Sequence, residues 1–169
     1  MRVTNGEYDE VEIRHARGDE AHALAAVQEA ASVAAVGHVF PPDLYPFPRR
    51  EVRARWAALL ADPEAAVLVA VRADAAVGVA AVRPGWLDAL YVRPEEWRRG
   101  FGARLHDEAL ALLRARGCAR CDLWVLEGNT RARRFYERLG WVENGTSREV
   151  PFPPFPLDIG YTLALTGPT

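Results

Sequence analysis

Leu87-Asp-Ala-Leu-Tyr-Val-Arg-Pro-Glu-Glu-Trp-Arg-Arg-Gly-Phe-Gly-Ala-Arg-Leu105 is the stretch from which the rest of the chain is read. Trp86 to Val92 has the apolar, β-prone character of a strand, and Arg93-Pro94-Glu95-Glu96 interrupts it as a loop. From Gly100 to Arg116 the residues Phe101, Leu105, Ala109, Leu112 and Leu113 recur on one helical face, and Gly117 stops the helix. A strand that passes through a glycine-bearing turn into a long helix gathers unpaired backbone N–H groups and the positive end of the helix dipole at one spot. Such a spot holds a phosphate without any particular side chain. Gly100 and Gly102 let a ligand approach the backbone, and Arg98 and Arg99 add charge, so the turn suits a pyrophosphate. The plainer alternative is that the glycines serve only a tight turn and close helix packing. A dinucleotide-binding turn fits less well. Its Gly-x-Gly-x-x-Gly pattern needs glycine where Leu105 stands, and it belongs at a first strand rather than after about four.

Upstream, Val11 to Arg14 reads as a short strand, and Asp19 precedes a helix to about Ala35 with Leu24, Val27 and Ala31 at helical spacing. Gly37 to Pro48 carries four prolines among Phe40, Tyr45 and Phe47 and must be a loop. A second helix, Arg49 to Leu60, ends at Asp62-Pro63. Ala66 to Arg72 and Ala75 to Arg83 form a hairpin about Ala73-Asp74. Downstream, Cys121 to Leu126 is a buried-type strand, and Asn129 caps a helix that runs to Leu139 and ends at Gly140. Trp141 to Glu143 opens a sixth strand, Pro151 to Pro156 breaks the pattern, and Leu157 to Leu165 alternates as the last strand. No repeat or linker divides the chain. The expectation is one α/β domain over residues 1–169.

Half of the 169 residues are hydrophobic, enough for one full core. A net charge of -2 gives no general attraction to nucleic acid or to an anionic membrane. All 21 basic residues are arginine, whose planar fork suits phosphates. No apolar run has membrane-spanning length and the polar start, Met1 to Glu10, does not resemble a secretory signal, so a cytoplasmic location is expected. Cys118 and Cys121 form a lone pair, and His15, His22, His38 and His106 are scattered. Zinc takes four ligands, so no metal site is expected.

The second informative segment runs from Leu123 to Trp141. Ala132, Phe135, Tyr136 and Leu139 share a helical face there and read first as a core stripe. Tyr136 differs in carrying a hydroxyl that needs a partner if buried and can give up a proton if it lines a cleft. Arg131, Arg133, Arg134 and Arg138 crowd the same helix as a solvated face from which one or two could meet a cofactor phosphate.

Together the two segments resemble the GNAT family of N-acetyltransferases, in its small stand-alone bacterial branch, and the order of elements agrees from Val11 to the last strand. That family's phosphate turn, Gln or Arg, two residues, Gly, one residue, then Gly or Ala, maps onto Trp97, Arg98, Arg99, Gly100, Phe101 and Gly102, with Ala103 following. Trp97 departs from it. Asn129 and Phe135 to Trp141 match the second signature. The resemblance implies a GNAT acyl-CoA N-acyltransferase fold, a mixed twisted sheet of about six to seven strands flanked by about four helices. It also implies acetyl-CoA as cosubstrate, held in a split between Leu87–Val92 and Cys121–Leu126.

On that model Leu90, Tyr91 and Val92 pair with the pantetheine arm as an added strand would. The turn residues Trp97 to Ala103 take the pyrophosphate, Asn129 and Arg133 face the cofactor, and Tyr136 protonates the leaving thiolate. Chemistry is direct attack by a neutral amine, with Asp88, Glu127 or a water as base, and His38 a lesser candidate. The acceptor falls between the two proline-aromatic loops, beside Phe40, Tyr45, Phe47, Phe152 and Phe155. Their few charges suggest a modest, partly apolar amine of a small molecule or peptide; the same rings would also serve as sheet cover or as a homodimer surface. A non-catalytic acyl-CoA sensor or interaction module is the alternative function, against which the intact Tyr136 speaks.

Overall fold

The structure is a computed structural model describing residues 10–166. Residues 1–9, on which the reading of the polar start rests, and 167–169 lie outside the described residues. In chain order the elements are β1 (Glu12–His15), α1 (Ala21–Val36), α2 (Arg49–Ala61), β2 (Ala66–Arg72), β3 (Ala75–Arg83), β4 (Trp86–Val92), a 3-10 turn (Pro94–Glu96), α3 (Phe101–Ala115), β5 (Arg120–Leu126), α4 (Thr130–Arg138), β6 (Val142–Glu149) and β7 (Leu157–Ala164). The strands form one mixed sheet in the order β1-β2-β3-β4-β5-β7-β6. Every neighbouring pair is antiparallel except β4 and β5.

Strand alternation sends side chains of β2 and β3 to opposite faces. Val67, Val69, Val79 and Ala81 pack against α1 and α2, and Leu68, Ala70, Ala80 and Val82 pack against α3. Covered on both faces, these strands are continuous apolar runs. Their hairpin turns on Ala73 (φ 47) and Asp74 (φ 61), both left-handed, as a two-residue turn that follows strand twist requires. The indole N–H of Trp56 donates to Gln28 Oε1 at 2.8 Å and pins α2 to α1.

Two register features make the site. Ala81 lies opposite Ala89 but Val82 lies opposite Leu87, so Asp88 is the extra residue of a bulge in β4. And β4 and β5 share a single pair, Trp86 with Asp122, beyond which they diverge. Cys121, Leu123 and Val125 of β5 belong to the core under α3 and α4, so the intervening Trp124 and Leu126 point to the other face.

β1 begins one residue later than the sequence suggests, because pairing with β2 starts at Glu12, opposite Val71; Val11 is buried just ahead of it. β6 is exposed along its whole length and slips register between Glu143 and Ser147, which is why only its start has a strand-like pattern.

Behind α4, His106 of α3 is buried between Phe135 and Trp141 (ring centroids 6.2 and 6.1 Å). Its Nε2 accepts from the Trp141 indole N–H at 2.9 Å, and its Nδ1 lies 2.9 Å from Asp107 Oδ1. These partners assign the proton to Nδ1 and leave no room for a second on Nε2. Burial pushes its pKa below the ordinary value. The folded state therefore holds His106 neutral while the unfolded chain protonates it below about pH 6.5. Its contribution to stability is full above that pH and lost as the pH falls towards the lowered folded value, by at most about 1.4 kcal/mol per pH unit. We expect wild-type protein to lose melting temperature between pH 7.5 and 5.5 and His106→Gln to lose measurably less (about one proton's worth). Equal losses would show that His106 does not carry the dependence.

Candidate active site

Where β4 and β5 part, a cleft of about 1130 Å³ passes through the sheet. Ala31, Ser32, Ala35 and Val36 of α1 and Arg55 of α2 line one side; the start of α3 and the inner face of α4 line the other.

At the α3 end, Gly100 caps the helix with φ 82, a conformation that glycine supplies without strain. The first bond of the helical ladder runs from Arg104 N to Gly100 O at 3.1 Å. The N–H groups of Phe101, Gly102 and Ala103 thus precede the ladder, on residues that line the cleft. A Cβ on Gly102 would sit 3.4 Å from the Phe135 ring and 3.7 Å from Val92, in contact already. The turn is braced from behind. Glu96 is buried, with its carboxylate bonded to Arg72 and 3.4 Å from Arg99, and Arg93 Nε donates to Ala76 O at 2.9 Å.

Trp97, the residue that departs from the family pattern, donates its indole N–H to Val92 O at 2.7 Å. The Arg131 guanidinium lies 3.8 Å over its ring. Trp97 therefore ties the turn to the end of β4 and carries a cation at the cleft wall. Arg98, Arg131, Arg134 and Arg138 all line this end, and none has a carboxylate partner among the described residues. Burial, then Arg98 and Arg138, push the Arg131 pKa down. This donor set, free helical N–H groups with unpaired arginines, fits a polyphosphate.

Midway, Leu90, Tyr91 and Val92 line the cleft on the side of β4 that has no strand partner beyond Trp86. Tyr136 of α4 comes in from the opposite wall, 8 % exposed, its ring against Phe135 at 5.3 Å and Trp141 at 5.7 Å. Its hydroxyl makes no hydrogen bond among the described residues, and burial pushes its pKa well above the ordinary tyrosine value, so it keeps its proton. Asn129 also lines the cleft, with Oδ1 accepting from Ala132 N at 3.1 Å as a helix cap.

The other sequence candidates are placed as follows. Asp88 lines the cleft at the bulge, but both carboxylate oxygens take bonds from Arg83 (2.7 and 2.8 Å). Glu127 is exposed beyond the end of β5 and is not part of the lining. Arg133 faces away, bonded to Tyr161 Oη (3.1 Å), Glu143 Oε1 (2.6 Å) and Glu127 O (3.1 Å), and staples α4 to β6 and β7. Arg99 is taken up by Glu96 rather than by the cleft.

The two aromatic loops meet, Phe40 lying 6.4 Å from Tyr45 and 5.8 Å from Phe152. Phe47 is partly buried against the core of α1 and α2, and Phe155 is 49 % exposed. None of Phe40, Tyr45, Phe47 and Phe155 lines the cleft itself. His38 Nε2 lies 2.8 Å from Gly128 O and joins the first loop to the β5–α4 connection.

Sequence reasoning missed the charged and aromatic residues at the end of the cleft away from α3, Arg55, Arg83, Trp86, Trp124, Arg148 and Asp158. Trp124 stacks on Trp86 (6.4 Å, 22°) and lies 4.5 Å below the Arg148 guanidinium, whose Nε donates to Asp158 at 3.0 Å. Period-two alternation around Leu123 and Val125 was the available signal for Trp124. Neither cysteine lines the cleft, and burial pushes the Cys121 thiol up to about 12.

A sheet parted between two parallel strands, with a free helix N-terminus at one end of the opening and a protonated tyrosine in its wall, defines the acyl-CoA N-acyltransferase architecture. The model of the acetyltransferase (GNAT) family matches residues 13–141, and the chain belongs to that family. Among relatives, a mycothiol acetyltransferase of Beutenbergia cavernae is 45% identical over 58 residues, 34% of this chain and 20% of that protein. A protein of Mycobacterium bovis named as an uncharacterized N-acetyltransferase is 37% identical over 98 residues, 55% of this chain and 63% of its own length. The match thus spans less than two thirds of either relative. Among solved structures, the PaiA N-acetyltransferase of Thermoplasma acidophilum in complex with coenzyme A aligns with a TM-score of 0.67 at 15% identity, over 89% of this chain and 98% of that one. At that identity the likeness concerns the fold. No helix among the described residues is long and apolar enough to cross a membrane.

Proposed function

We propose that the protein transfers an acetyl group from acetyl-CoA directly to an amine of a small molecule or peptide. The observation that carries this is one cleft joining the free N-terminus of α3 to the unbonded, protonated hydroxyl of Tyr136. Acetyl-CoA supplies a thioester, and the coenzyme A held by the PaiA structure supports the choice of nucleotide. The helix N-terminus and the four unpaired arginines bind the phosphates, and the open edge of β4 at Leu90 and Tyr91 orients the arm. The Val92 carbonyl is already used by Trp97.

As the amine nitrogen bonds to the acetyl carbon and the carbon–sulfur bond breaks, Tyr136 gives its proton to the sulfur. The proton lost by the nitrogen leaves through water, because Arg83 holds Asp88 and Glu127 lies outside the cleft. No thiol takes part, since the buried Cys121 stays protonated and away from the cleft.

A coupled thiol-release assay against pooled amines tests the reading. Acceptor-dependent appearance of free CoA is expected; binding of acetyl-CoA without release would make the protein a sensor. Trp97→Ala is expected to weaken the acetyl-CoA-induced rise in melting temperature without removing it, by about 1 kcal/mol of binding for one lost hydrogen bond and one cation–π contact. A Trp97→Ala protein with an unaltered rise would show that the indole does not brace the turn.

A further inference from the structure

The charges along the cleft are divided unevenly. Its two ends hold seven arginines and only three carboxylates, Asp88, Glu96 and Asp158. Every one of those carboxylates is already answered by an arginine: Asp88 by Arg83, Glu96 by Arg72 and Arg99, and Asp158 by Arg148. The Asp88 side chain is 8 % exposed and that of Asp158 13 %, so neither has much surface left for a second cation. The arginines at the α3 end are accounted for by the phosphates of the cosubstrate. At the acceptor end one cation remains, Arg55.

Arg55 reaches the cleft wall from α2, on the helical turn whose neighbour Trp56 is locked to Gln28. Among the described residues its only bond is a long one, 3.4 Å, from a terminal nitrogen to the backbone oxygen of Asp88. That places the guanidinium at the β4 bulge, and its charge is felt at Tyr91. An arginine held over the cleft with its other donors unused presents a fork for an oxyanion. With no unpaired carboxylate among the described residues lining that end to receive a positive group, polyamines and lysine-rich segments are the wrong acceptors.

We propose that the acceptor is an amine that also carries an oxyanion, a carboxylate or a phosphate, and that Arg55 holds that group while the amine faces the split between β4 and β5. The inference rests on the acetyltransferase reading above and narrows its substrate class.

The test is a thiol-release comparison of matched amines: the common α-amino acids, their carboxamides and their decarboxylated amines, with phosphoethanolamine and ethanolamine as the phosphate arm. In wild type, one anionic series is expected to exceed its neutral partners about ten- to a hundredfold in kcat/KM, as charge-assisted bonds are roughly twice as strong as neutral ones. Whichever arm responds identifies the oxyanion. Arg55→Gln keeps the helix and removes the charge. It should raise KM for the anionic acceptors until the preference is gone, lower kcat/KM for the neutral partners far less than for the anionic ones, and leave KM for acetyl-CoA little changed, and Arg55→Lys should recover part of the preference. Neutral or dicationic amines preferred by wild type, or an Arg55→Gln loss shared equally by all acceptors, would overturn the proposal while leaving the acetyltransferase reading intact. No release from any amine, by a protein whose melting temperature acetyl-CoA still raises, would overturn both.

Discussion

Gly100→Val and Gly102→Val are each expected to abolish the rise in melting temperature that acetyl-CoA produces. A ligand that binds only the native state adds about 2.7 kcal/mol at a hundred times its Kd, roughly 5 to 10 °C for a chain of this length. The two glycines matter for different reasons. Gly100 has φ 82 with nothing near its Cβ position, so valine there is opposed by the backbone, and the turn must change shape. Gly102 has an ordinary backbone, but its Cβ direction already meets Phe135 at 3.4 Å, and the branch of valine must displace that ring or cover the N–H groups of the turn. Gly100→Val will also lower the melting temperature of the free protein, so the quantity to compare is the difference with and without acetyl-CoA. A full ligand-induced rise in either variant, or a greater loss in Trp97→Ala than in Gly102→Val, would show that backbone approach is not what the turn provides.

Tyr136→Phe should lower kcat about ten- to a hundredfold and leave the acetyl-CoA-induced rise in place. A positioned general acid is commonly worth about 100-fold to 10,000-fold, but a thiolate is already a fair leaving group, a cysteine-like thiol having a pKa of about 8.5, so the effect belongs at or below the low end. The ring remains packed against Phe135 and Trp141, and the hydroxyl has no hydrogen bond to lose among the described residues, so the substitution costs little stability. Its loss appears in the transition state, hence in kcat and kcat/KM alike. Turnover at the wild-type rate with a confirmed acceptor would reduce Tyr136 to a core residue and give the sulfur's proton another source.

Most of the architecture could be read from local pattern. Both faces of β2 and β3 are covered, so their sequences are unbroken apolar runs, and α3 has one clear apolar stripe ended by Gly117. β6 was legible only at its start because no face of it is buried. In the site, the turn from Gly100 to Ala103 was legible as glycines at a helix start, whereas Tyr136 stood out only as a hydroxyl on an apolar helix face and was singled out through the family resemblance.

What the sequence hid is set by three-dimensional pairing. Arg133 stands two residues after Arg131 on α4, yet the helix turns one towards Tyr161 and the other towards Trp97. Phe47 and Phe40 sit in one proline-rich loop, but Phe47 packs, partly buried, against the core of α1 and α2 and Phe40 lies towards Phe152. Arg55 is one arginine among several on α2, and nothing local distinguishes it. Its position depends on where α2 crosses the β4 bulge, a contact between residues 33 apart in the chain.

Direct transfer is the centre of the account, and isotopically labelled acetyl-CoA tests it most directly. A single turnover with the label in the acetyl group, followed by mass spectrometry of both protein and small molecules, should find the label on the nitrogen of the acceptor amine and none on the protein at any time. Label retained on a protein side chain before the amine acquires it, or label that never leaves acetyl-CoA with any amine, anionic, neutral or cationic, would contradict the mechanism.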